Sequence, residues 1–144
     1  MTTDEREAVD RDRADDAGRA DADRADAELA RRLTATARAV PGVVDVFDAR
    51  PLLEAAVEVV AARLVDDEHR DLVLVDRQEG RLAVTAHVAT DLAASTPEVL
   101  ARAAADLRTA VSEAGAAGPG TDVAVTVRAQ LIEPAVGPAG AAAG

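Results

Sequence analysis

The sequence predicts an α+β domain in the order β-α-β-β-α-β, with one additional helix at its N-terminal side. Three observations carry this. Valine-rich runs alternate apolar and polar residues near 82–88 and 123–131, apolar residues recur at helical spacing near 27–40 and 97–113, and Pro or Gly punctuates the junctions. This order is that of a ferredoxin-like, split βαβ, two-layer sandwich: a four-stranded, mainly antiparallel sheet with helices on one face.

In chain order, residues 27–40 place Leu29, Leu33, Ala37 and Val40 on one side of a helix, with Arg31, Arg32 and Arg38 elsewhere on the wheel. Leu29, Leu33 and Val40 are expected to pack on the core, with this added helix covering an edge or the open face of the sheet. Pro41-Gly42 stops the helix, and Val43-Val44-Asp45-Val46-Phe47 reads as a short strand. Residues 51–65 set Leu53, Ala56, Val57, Val60 and Leu64 at helical spacing behind Pro51, with Asp48 as a nearby cap. The β-branched run Val57 to Val60 argues for a strand, but length without a breaker favours a helix. Leu72 to Val75 reads as a strand. A turn over 77–80 with Gly80 at positive φ then leads into the strand of Leu82, Val84, Ala86 and Val88, which closes a hairpin. Ser95 and Glu98 have capping-box spacing around Pro97, opening a helix that Gly115 ends. Val123, Val125, Val127, Ala129 and Leu131 give the clearest strand of the chain.

Outside this domain, at 27–133, lie two segments of different character. Residues 1–26 belong to an acidic stretch. The first 30 residues hold 11 acids and 5 arginines, with Met1 and Val9 the only large apolar side chains before Leu29. Such a segment buries too little surface to offset its ordering entropy and reads as a disordered or transiently helical acidic tail. Residues 134–144, PAVGPAGAAAG, read as a second disordered tail.

The composition removes whole classes of function. Of 144 residues none is Cys, Trp or Tyr, and Phe47 is the one aromatic, so disulfides, thiolate catalysis and cysteine-held metals are excluded. A net charge of -11 and the lack of stacking side chains argue against nucleic-acid binding. No apolar run approaches the ~20 residues of a membrane span, so direct membrane insertion is not expected. The acidic N-terminus lacks the layout of a secretory signal, which gives a cytoplasmic expectation. All 16 basic residues are arginine, a preference that a GC-rich genome explains.

Three clusters could carry chemistry. Asp66-Asp67-Glu68-His69-Arg70-Asp71 is dense in metal ligands, but consecutive loop residues diverge and the calcium-loop pattern is absent, so it reads as a solvated loop. His87 stands mid-strand opposite the apolar set, near Thr85, with Asp76 or Arg77 across the hairpin. It lacks the partners of a general base and reads as a surface or subunit-facing histidine. The glycines at 115, 118 and 120 follow a helix and precede a strand, the reverse of a phosphate loop. No catalytic, cofactor-binding or metal-ligating residue is therefore assigned, no cofactor is expected, and the chain is not expected to be an enzyme.

Three features together resemble the alkaline-shock or envelope stress response family, Asp23/Gls24. They are the helix running into Val40-Pro41-Gly42-Val43, the strand from Arg81 to Thr90 followed by the helix at 97–113, and the closing strand from Asp122 to Arg128. The resemblance covers about residues 29–132. The family's glycine-rich stretch after the first strand is replaced here by residues 48–65. The resemblance implies a non-enzymatic scaffolding or interaction protein that self-associates, stays cytoplasmic, and gathers at the membrane through a small membrane-anchor partner. The competing reading is a ferredoxin-like regulatory domain of the ACT type, with a small-molecule pocket near the Pro41-Gly42 turn.

Overall fold

The computed structural model describes residues 3–50 and 71–134. Helix α1 spans Thr3–Arg38, followed by strands β1 (Val43–Phe47), β2 (Leu74–Gln78) and β3 (Arg81–Asp91), helix α2 (Thr96–Glu113) and strand β4 (Asp122–Glu133). The mixed α+β class is as the sequence predicts. The helix expected over 51–65 lies outside the described residues, as do residues 135–144 of the tail expected over 134–144.

β3 is the hub of the sheet. β4 runs parallel to it along its whole length, from Arg81 beside Asp122 to Asp91 beside Glu133. That fills one edge. β2 pairs antiparallel with residues 81–85 of β3, and β1 pairs antiparallel with residues 87–90. Both therefore share the other edge, end to end, like one strand interrupted after Phe47 and resumed at Leu74. The junction is closed by the Ala49 N–H, which donates to the Leu72 carbonyl at 3.0 Å. This pairing corrects the split βαβ expectation, in which the last strand lies antiparallel beside the first. Here β1 and β2 occupy a single edge of β3, so the free edge left for β4 is that of β3 itself, and the crossover through α2 delivers β4 parallel.

Side-chain alternation then assigns the two faces. Leu82, Val84, Ala86 and Val88 of β3 are buried under the helices, beside Val46 of β1, with Val75 and the valines at 123, 125 and 127 packed against them. α1 contributes Leu29, Leu33 and Ala37 to this core and α2 contributes Leu107, Ala110 and Val111. Leu33 and Leu107 are fully buried. α1 is thus one of the two described helices of the covering layer. It covers neither an edge nor the open face.

α1 also starts much earlier than the pattern at 27–40 suggests. Residues 4–25 are helical and exposed throughout, an arm of about 33 Å at 1.5 Å per residue. Alanine has the strongest helix preference, and spaced Arg–acid pairs such as Arg11–Glu7 and Arg24–Asp21 add small increments on an exposed face. The arm meets the body where Arg77 donates to Asp26 Oδ1 at 3.0 Å and to the Ala116 carbonyl at 2.9 Å. That dual contact explains why the polar pair Arg77-Gln78 continues β2 rather than forming the turn. The turn is Glu79-Gly80 alone, with Gly80 at φ 71.

Thr34 holds the interrupted edge in place. Its side chain is 1% exposed. The hydroxyl donates to the Ala30 carbonyl at 2.8 Å and accepts the N–H groups of Leu72 at 3.0 Å and Val73 at 3.1 Å. Both lone pairs of one oxygen are used where the chain rejoins the sheet. Thr34→Val removes the acceptor and leaves two buried N–H groups unpaired, at about 1–3 kcal/mol each. Its melting temperature is expected to fall by roughly 10 °C or more, whereas Thr34→Ser, which keeps the oxygen, should fall by far less.

Candidate functional site

A concave feature of the described surface lies where α1 hands over to β1 and β3 hands over to α2. It is an open cleft of about 290 Å³ lined by Pro41, Gly42, Ala94, Ser95, Glu98, Val99 and Arg102. Its floor is built by backbone. The Asp91 N–H donates to the Gly42 carbonyl at 2.8 Å, and the Asp91 carbonyl accepts the Ala94 N–H at 3.0 Å to close a tight turn. The Asp91 carboxylate accepts the Ala93 N–H at 2.9 Å within the same turn. Beneath it the buried Thr90 hydroxyl pairs with that of Thr96 at 3.0 Å. Val40, Val99 and Ala103 form a small separate core behind the cleft.

Ser95 is the residue preceding α2, but its side chain makes no capping bond. The capping box read from Ser95 and Glu98 is therefore not formed. Thr96 turns its hydroxyl to Thr90 instead, Pro97 needs no N–H partner in the first turn, and the Val99 N–H finds the Ser95 carbonyl at 3.0 Å. Glu98 is exposed, and its carboxylate and the Arg102 guanidinium stand one helical turn apart at the cleft's rim. This is the place where a regulatory domain of the ACT type was expected to hold its ligand. The cleft carries one acid, one base and a hydroxyl, all at its rim, above an apolar wall.

The other candidates do not converge. His87 sits on the open face of the sheet, half-buried, with Nδ1 3.0 Å from Gln130 Nε2. Its neighbours across the sheet are Phe47 and Arg128. Asp76 pairs instead with Ala83, and Arg77 with Leu82 on the covered side, so neither faces it as the sequence suggested. Among the described residues no carboxylate bonds to this imidazole to orient it as a base. Of the acidic loop at 66–71 only Asp71 is described. No cluster of three or more metal-ligating side chains occurs among the described residues. Asp48, read as a cap for the segment after it, accepts the backbone N–H of Arg50 at 2.9 Å and pairs with its guanidinium at 2.9 Å. The glycine loop after α2 reads as a connection, with Gly115 at φ 63 ending the helix and Gly120 at φ 77 leading into β4. No helix among the described residues is long and apolar enough to cross a membrane.

What the sequence did not reveal is the long outer edge of β4, which no described strand pairs. Alternation marks β4 as a strand but says nothing about which of its edges is occupied. Leu131 and Ile132, at 48% and 53% exposure, lie at its outer end.

No family model matches the chain, and neither a curated protein nor a solved structure matches it.

Gly42 shapes the cleft in two ways. Its φ is +91, and a Cβ there would come within 2.5 Å of Val99 Cγ2. Gly80 has a similar φ of +71 but open space around it. Gly42→Ala is therefore expected to lower stability by more than the ~1 kcal/mol expected of Gly80→Ala. Equal melting temperatures for the two variants would contradict this packing.

Proposed function

We propose that this chain is a non-enzymatic interaction protein of the envelope stress response type, acting through self-association and partner binding. The observation that supports this most is the kind of surface it presents. Among the described residues, an exposed acidic helical arm, the sheet face away from the helices and a strand edge without a partner offer contact area, while no three metal-ligating side chains come together. The arm at residues 4–25 carries nine acids against five arginines. A surface of that sign favours basic partners and disfavours phosphate-rich ones. In keeping with the alkaline-shock resemblance, the partners are further copies of the chain and a small membrane-anchor protein, and the setting is cytoplasmic, peripheral to the membrane through that anchor.

The cleft at Pro41-Gly42 favours a second reading, a small-molecule-binding regulatory domain of the ACT type. Two measurements on the full chain separate them. Sedimentation velocity over a wide concentration range is expected to show a rising weight-average mass. Thermal melting with a panel of amino acids and nucleotides is expected to show no shift, because a ligand that binds only the folded chain raises the melting temperature. A strict monomer with a clear ligand-dependent rise would transfer the assignment to the regulatory domain.

A further inference from the structure

We propose that the outer edge of β4 pairs antiparallel with β4 of a second copy, about a two-fold axis at Val125, joining the two sheets into one. This rests on the self-association reading and names the surface that carries it.

The free groups follow from the ladder. The Asp122 N–H donates inward to the Gly80 carbonyl at 3.0 Å. Main-chain groups alternate sides along a strand, so Asp122, Ala124, Thr126 and Arg128 bond inward to β3. Val123, Val125 and Val127 direct their N–H and C=O groups outward, and no backbone bond to them from outside β4 occurs among the described residues. The other edge of the sheet is divided between two strands of 5 residues each. β4 is one run of 12 residues with no proline. A long unprotected edge is a template for another strand, and proteins ordinarily blunt such edges with lysine, proline or a covering segment.

Charge selects the second copy and its register. Centred on Val125, the pairing sets Val125 against its own copy and Val123 against Val127, each exchanging two main-chain bonds. Just beyond each Val123–Val127 pair, on the face away from the helices, Asp122 lies directly opposite the second copy's Arg128, and Arg128 opposite its Asp122. These are the close, non-hydrogen-bonded positions, where opposite charges attract most. Both side chains are exposed, and neither has an ion pair with another described residue within 4.0 Å. A slip of two residues either way sets Asp122 against Thr126 or Gln130, and Arg128 against Gly120 or Ala124, and loses both pairs. A slip of one residue puts the main-chain groups out of phase. The chosen register also runs the exposed Leu131 and Ile132 past the second copy's loop at 118–120.

The test uses the full chain and two single variants, Asp122→Arg and Arg128→Asp. Each homodimer then sets like charges opposite at both pairs, so each is expected to dissociate at about tenfold or more higher concentration than the unaltered chain. Mixed in equal amounts, the two variants regain complementary charge at both positions, and a heterodimer as tight as the original pair is expected in native mass spectrometry. Amide exchange supplies an independent readout, since Val123, Val125 and Val127 should be protected in the dimer and exposed in either variant alone. Variants that associate as strongly as the unaltered chain would overturn the β4 edge while leaving self-association standing. Dissociated variants that fail to pair on mixing would overturn the register. An unaltered chain that stays monomeric would overturn both readings.

Discussion

Every strand pairing in the described sheet passes through β3, and the clamp at Thr34 is what lets one edge of β3 serve two strands. Without a partner for the Leu72 and Val73 amides, the chain would return from residues 51–70 to the sheet with buried donors unpaired. With it, β1 and β2 stay in line, and the hairpin at Glu79-Gly80 sets β2 on β3 in a fixed register. The opposite edge of β3 is then the only one open to β4. α2 carries the chain across the covered face, and the parallel ladder of β3 and β4 follows. A single buried hydroxyl on α1 thus links the helical layer, the interrupted edge and the direction of the last strand.

Much of this was legible in the sequence, for a local reason. Leu82, Val84, Ala86 and Val88, and the valines of β4, alternate cleanly because one face of each strand is buried and the other is not. Leu29, Leu33 and Ala37 repeat at helical spacing because α1 lies on that face. Gly80, Gly115 and the Pro41-Gly42 stop were readable because each conformation depends on its own residue. Strand order was not readable. Nothing in the alternation of β4 states whether its neighbour is β1 or β3, since both carry β-branched residues and both have an apolar side. The first half of α1 was missed for the opposite reason: residues 4–25 bury nothing, so the apolar periodicity that reveals an amphipathic helix is absent, and alanine preference with scattered ion pairs is all that remains.

The candidate sites show the same division. His87 was placed correctly on the open face, but its neighbours Phe47, Arg128 and Gln130 come from β1 and β4, and only the fold reveals them. The cleft at Gly42 joins a stop signal at 41–42 to a helix start at 95–99, more than 50 residues apart in the chain. The β4 edge is more remote still from any motif. It consists of main-chain groups whose freedom depends on which neighbour β3 has accepted.

The parallel neighbourhood of β3 and β4 underlies both the architecture and the outward direction of the groups at Val123, Val125 and Val127. Nuclear Overhauser contacts across the sheet, measured on the labelled full chain, test it most directly. The expected pattern joins β3 to β4 from Leu82–Val123 to Val88–Ala129 in parallel, and joins Val88 to Val46 and Val84 to Val75 on the other side. Contacts between β4 and β1 running antiparallel, with no parallel set to β3, would contradict the account.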